Sequence, residues 1–440
     1  MSEALTTYTA SFINTIEIVD ATGTSSLTTT YPVSIIQGAT NNQIFTLADP
    51  TSNKFKKIIN DSALTIFIQT TNGTTKLENN KNTLDLAYKT DRWYIYSYYN
   101  NAYKWFPYRQ QGNKLVGTGY TGTPRQGYST AISADGNTVI VGAPNNNSAL
   151  GAVWIFIHES NAWSQQGLKL IGSTTVGNSE QGTSVAISGD GNTIAFGCPA
   201  DDTNIGTAYV FTRSSAVWTQ QGSKLIGTGA TGTALQGTSI AISGDGNTIA
   251  IGGTTDDSSN GAVWIFVRSN SVWSQQGNKL VGTGMTGAAK FGSSVSLSYD
   301  GNTLVAGGLE DNSNIGAIWI FTRASSTWTQ LGNKLVASDY TSTSKQGCNV
   351  SISADGNIIA VGGNNDNTGI GAVWLYKKTG TTWTQSGVKI LPSNPTGSPS
   401  FGNSVALSAD GTTIAIGGHK NDTNIGAVWI FNNNGSIIQQ

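Results

Sequence analysis

The chain has 440 residues, enough for a large core and two domains, and only 11% of them are charged, against about 25% in an average domain. A net charge of −1 lacks the basic excess that binding nucleic-acid phosphates requires. The cysteines, Cys198 and Cys348, form no disulfide or zinc spacing, and no apolar run nears the ~18 residues of a membrane span. The N-terminus has no basic start followed by an apolar run, so no signal peptide is expected.

Residues 1–104 read as a small β-rich domain. SFINTIEIV, YPVSII, QIFTLA, ALTIFIQT and WYIYSYY are short, β-branched or aromatic, and partly alternating. Turn signals separate them at Asp49-Pro50, Asn72-Gly73 and Asn79-Asn80. FKKIIN is the one stretch with a helical look. The order of these stretches from Gln43 to Tyr99 resembles small β domains of phage and large-virus fibre or surface proteins. That resemblance implies attachment to a larger particle, with self-association through this domain as an open arrangement.

Residues 105–440 are governed by a repeat. A phrase beginning at Gln126 returns at Gln181, Gln236, Phe291, Gln346 and Phe401, an even spacing of 55 residues without insertion. In the third copy TSIAIS is a strand, GDGN a tight turn, and TIAIGG a second strand. TTDDSSNG is a polar loop, AVWIFVR a third strand, SNSV a turn, and WSQQGNKLVG a fourth. Four antiparallel strands per copy make one propeller blade, and six copies make six blades. The fold class is therefore all-β: a six-bladed propeller preceded by a small β domain. YRQQGNKLVG at Tyr108–Gly117 is in phase with the fourth strands, so it is expected to complete the blade begun at Phe401. A ring closed in this way leaves few sheet edges exposed.

Phe291-Gly292 with Gly307-Gly308, and Gly142-Ala143-Pro144 in the first copy, resemble the FG-GAP repeat of integrin α-subunit propellers. In four copies the first Phe is Gln, and GAP is mostly Gly-Gly. The resemblance implies a calcium loop between strands one and two in many blades, and seven blades. Here that place holds only short turns such as Gly244-Asp245-Gly246-Asn247, with one carboxylate each. Ca²⁺ takes six to eight oxygens, so no metal site is expected.

The repeated side chains are weighed against plain structural roles. Ser133/Asp135 and its five equivalents build turns rather than supply a general acid. Trp154, Tyr209, Trp264, Trp319, Trp374 and Trp429 fill the wedge between blades. Lys114, Lys169, Lys224, Lys279, Lys334 and Lys389 mark strand four, where lysine discourages edge pairing. His158, Arg213, Arg268, Arg323 and Lys378 would make one face basic.

The other face would be acidic, through Asp201, Asp202, Asp256, Asp257, Asp311 and Asp366 in the loops after strand two. As exposed loop carboxylates they would contribute little to stability. Beside them lie the loops that differ most between copies, bearing Tyr120, Arg125, Glu180, Met285, Lys290, Tyr340 and Lys345. Ligand-binding residues concentrate in loops on a rigid scaffold, so these thirteen positions form the candidate binding surface. The expected function is non-enzymatic: a binding or structural display protein that engages a protein or glycan without a cofactor, on a virion surface in host attachment. The alternatives are a cytoplasmic propeller scaffold, or a hydrolase or lyase using the channel. For the last the sequence offers His158 and His419 in separate copies and no other asymmetric set.

Overall fold

The computed structural model describes residues 113–160, 162–433 and 437–439, and before them the backbone of ten strands between Ile16 and Trp105. The chain divides into two compact units, residues 1–110 with 440, and 111–439.

In the first unit, the first six strands alternate between two sheets. Ile16–Asp20, Val33–Gln37 and Phe55–Asn60 pair in parallel in one, and Ser25–Leu27, Gln43–Leu47 and Ile66–Thr70 in the other. FKKIIN is thus a strand, pairing in parallel with Val33–Ile36 and antiparallel with Asn82–Ala87. Its β-branched and aromatic residues prevail over its two lysines. The likeness to viral fibre domains falls outside the residues described in full.

The second unit is all-β. Six four-stranded antiparallel blades follow one another along the chain and form a six-bladed propeller. Blade three shows the pattern: Gln236–Ile242, Thr248–Gly253, Ala262–Ser269 and Val272–Gln275. The fourth strand ends sooner than its sequence implies, because Gly277 turns the chain at φ 74. Leu280 then returns to a single bridge with Val263. Strand three is buried on both faces over Ala262–Phe266, so its apolar residues run without alternation.

Blades meet through the repeated glycines and aromatics. A Cβ on Gly252 would lie 2.2 Å from the Gly292 carbonyl oxygen of the next blade. Gly237 has φ 91, and a Cβ there would lie 2.4 Å from the Thr207 carbonyl oxygen of the blade before. These two glycines let backbone approach backbone. Trp264 is fully buried in the wedge between blades two and three, and its indole N–H donates to the Thr228 carbonyl at 2.9 Å. Its ring occupies the space a Cβ on Gly227 would need. The Gln that replaces Phe at the blade start has its own task. Buried Gln236 accepts from Gly227 N at 2.6 Å and donates to Gly227 O at 3.0 Å. Where Phe remains, at Phe291, it packs edge-on against Trp319.

The closing strand differs from the sequence expectation. The fourth strand of blade six is Ile437–Gln439, which pairs antiparallel with Phe431–Asn433. Residues 113–117, the described part of Tyr108–Gly117, do not pair with blade six. They lead into blade one: a Cβ on Gly117 would meet the Trp154 ring, and Thr118 N donates to Gln165 Oε1. The two segments match the same repeat positions, and the C-terminal one follows strand three directly, through the shorter connection.

Candidate functional site

The loop after strand two and the loop entering the next blade lie at the same end of each blade. Thr231 N, in the loop entering blade three, donates to Asp256 Oδ1 at 2.7 Å. Asp257 N donates back to Thr231 O at 3.0 Å. The segment around Asp256 is a single left-handed turn, with φ 47, 59 and 69 at Asp257, Ser258 and Ser259. Left-handed backbone costs roughly 1–2 kcal/mol per residue, so the surroundings must hold it. The anchor is Asp256, whose second oxygen takes Lys279 Nζ at 2.5 Å.

This pairing recurs and corrects the acidic-face expectation. Asp201, Asp256, Asp311 and Asp366 are fully buried, each paired with the lysine that follows strand four of its own blade: Lys224, Lys279, Lys334 and Lys389, at 2.5–2.6 Å. They are loop anchors and present no carboxylate to a ligand. The lysines lean over the loop rather than guard a sheet edge. Blade one has Asn146 at the anchor. It keeps the bond from Thr121 N at 2.9 Å, and Lys169 turns to the Gly119 carbonyl instead.

The other candidates separate by exposure. Asp257 and Tyr120 are exposed, Asp202 is half-buried, and Tyr340 is exposed at the loop rim. Exposed Arg125 stacks over Tyr128 with 5.1 Å to the ring centroid. Met285 is half-buried against the core that contains Trp319, so it is chiefly a packing residue. Glu180, Lys290 and Lys345 are half-buried, and Lys290 pairs with Glu310 at 2.8 Å. Arg125, Glu180, Lys290 and Lys345 share one backbone position, with φ between 51 and 57. At three of them the N–H donates to the preceding blade's left-handed turn: Glu180 to Ala149 O, Lys290 to Ser259 O and Lys345 to Asn314 O. Each of these three entering loops is therefore clamped between two blades.

The opposite end is not an open basic face. Arg268 donates to Asn247 Oδ1 of its own blade, and to Thr193 Oγ1 and Gln221 Oε1 of the blade before. Its guanidinium lies over Trp273, 5.2 Å from the centroid. Arg213 and Arg323 repeat this staple. Sequence reading could have found both networks, since an Asp and a Lys, or an Arg and a Gln, recur in register.

The Asp-Gly turns are self-contained. Asp245 accepts from Ser243 Oγ at 2.5 Å and from Asn247 N and Nδ2 at 2.9 and 3.1 Å. Burial would raise its pKa, but these bonds and the charge of Arg323 together lower it. Such a carboxylate stays ionised at neutral pH and is a poor proton donor. Among the described residues no group of three or more His, Cys, Asp or Glu is gathered as for a metal ion. Nor is any helix long and apolar enough to cross a membrane.

The FG-GAP repeat family model matches residues 383–431. No curated protein matches the chain. Among solved structures, a functionally unknown protein from Desulfotomaculum acetoxidans is similar at 16% identity and TM-score 0.47, covering 81% of this chain and 90% of its own. Hydrazine synthase of Kuenenia stuttgartiensis is similar at 16% identity and TM-score 0.44, covering 73% of this chain and 80% of its own. The matched segment spans strand four of blade five and the first three strands of blade six, in the same 55-residue register as every other copy. The chain is therefore a six-bladed β-propeller in which residues 383–431 match the FG-GAP repeat.

Proposed function

We propose that the propeller is a non-enzymatic binding and display module whose variable loop face engages a protein or glycan. One observation carries this reading. Six loops share one anchor, a side-chain oxygen that accepts from Thr121, Val176, Thr231, Thr286, Thr341 or Thr396 N. Just before that anchored residue stand Tyr120, Thr175, Ala230, Met285, Tyr340 and Pro395, six tips of five chemistries on one scaffold. Constant support under varied tips is the arrangement of a recognition surface. The recognition set is Tyr120, Arg125, Asp202, Asp257, Tyr340 and Lys345, with Glu180 beside them.

The N-terminal unit is the attachment end of this reading, on a virus particle, and a homo-oligomer formed through it would present several propellers together. The test begins with a glycan array and a pull-down from host extract using the whole chain. Tyr120→Ala, Arg125→Ala and Tyr340→Ala should then cut binding of any ligand found by about tenfold or more in combination, with an unchanged Tm. Undiminished binding by that triple variant would move the site off this face. Western blotting of purified particles tests the location separately.

A further inference from the structure

Five of the six joints between blades are fastened alike. Gly151, Gly206, Gly261, Gly316 and Gly371 each bridge in parallel to the first residue of the next blade. A second line of bonds runs through the strand-one turns, from Ala134 N to Gly189 O at 3.0 Å through to Ala354 N to Ala409 O at 2.9 Å.

Among the described residues, blade six and blade one share none of these bonds. No hydrogen bond joins Ala409 to Ala134, and Gly426 has no bridge partner. A Cβ on Gly371 would lie 2.0 Å from the Phe401 oxygen, whereas one on Gly426 would meet only its own blade, at 3.5 Å. Val428 is 69% exposed, while its equivalent Val373 is 0% exposed. Beside it Ile425 is 79% exposed, over an open hollow of about 590 Å³. Blade one shows the matching deficit. Val139 and Val141 are half-buried where Ile194 and Phe196 are fully buried, and Ile132 is 57% exposed.

We propose that these two bare faces are the halves of an intermolecular joint: blade six of one copy docks on blade one of a second copy, head to tail. The fit is set by the repeat itself. Blade six presents what blade five presents to blade six, and blade one presents what blade two presents to blade one. Its occupant is thus a second copy of this chain, continuing an interface already made five times. Closure within one copy would have to bend five joints pinned at two levels, and packed joints do not deform continuously. Two different faces make a heterologous contact, so copies add in a row or close into a larger ring.

The test uses the full chain with Cys348→Ser. Ala134→Cys and Ala409→Cys are made in separate chains and mixed, and also combined in one chain at high dilution. The proposal expects a disulfide between the two single-cysteine chains and a mass that rises at least about twofold with concentration. Val428→Asp, at an exposed position, should abolish both without lowering the Tm. An intrachain disulfide in the diluted double variant overturns the proposal in favour of a self-closed ring. Monomer mass at every concentration, or association that survives Val428→Asp, overturns it as well.

Discussion

At the scale of residues, Asp256 and Asp257 are neighbours with opposite roles. Asp256 is buried, bonded by Thr231 N and paired with Lys279, while Asp257 is exposed. Asp257→Asn keeps a residue suited to its left-handed backbone, as Asn312 does one blade on, and should leave the Tm within a degree or so. Asp256→Asn keeps an acceptor for Thr231 N but leaves the mostly buried Lys279 ammonium without its carboxylate. It should cost about 1–3 kcal/mol, and Asp256→Ala more, read from thermal or urea unfolding. Equal melting of Asp256→Asn and Asp257→Asn would refute the anchor. The joint between blades four and five offers a gain. Trp218, Trp273 and Trp328 donate to Gln166, Gln221 and Gln276, but the equivalent partner of Trp383 is Leu331, and Trp383 Nε1 is buried without an acceptor. Leu331→Gln restores the acceptor and should raise stability by about 0.5–1.5 kcal/mol. A lower Tm in that variant would mean the apolar contact outweighs the bond.

At the scale of elements, the turn between strands one and two sets the acid response. The carboxyls of Asp135, Asp190, Asp245, Asp300, Asp355 and Asp410 all sit below the ordinary aspartate range. In all six burial pushes upward, in four as the largest single effect, and the bonds from Ser and from Asn, or Thr at Asp410, together outweigh it. In Asp355 and Asp410 the serine bond is itself the largest effect. A folded pKa below the unfolded one gives stability that is complete above the unfolded value and lost as pH falls through the folded value. The Tm should thus stay level from pH 7 to 5 and drop below about pH 4. Ser243→Ala should shrink that acid-side drop, since Asp245 loses its serine donor. An identical acid profile in that variant would show that the turn is not what titrates.

At the scale of the whole molecule, each blade packs chiefly on its neighbours, with Tyr299 of blade four also lying beside Gly189 of blade two, so damage should stay mostly local. Removing residues 435–440 takes away the strand Ile437–Gln439 and uncovers Phe431, which is buried. Hydrogen exchange should then quicken in blade six and, less, in blade five, with blades one to four unchanged. Uniform loss of protection would instead mean that the propeller unfolds as one unit. Removal of residues 1–100 leaves every described strand of the second unit in place and should preserve a cooperative propeller.

Fold and site were legible to different depths. The 55-residue register, the blade count and the order of strands within a blade were written in the sequence, because alternation and Asp-Gly turns act over a few residues. So was the burial of the Trp264 series, since an aromatic at one register position in every copy needs a repeated wedge. Candidate carboxylates could not be sorted that way. Asp256 and Asp257 look alike in the chain, and only the left-handed turn sends one inward to a lysine 23 residues away. The arginines likewise looked like a charged face until the packing of adjacent blades gave them Gln and Thr partners 47 and 75 residues off. Completion of blade six too was a tertiary matter. Ile437–Gln439 and the segment from Tyr108 fit the same strand position by pattern, and only the path of the chain through space chose between them. Local chemistry fixes what each repeat becomes; which polar groups face water depends on contacts between repeats, which no single repeat contains.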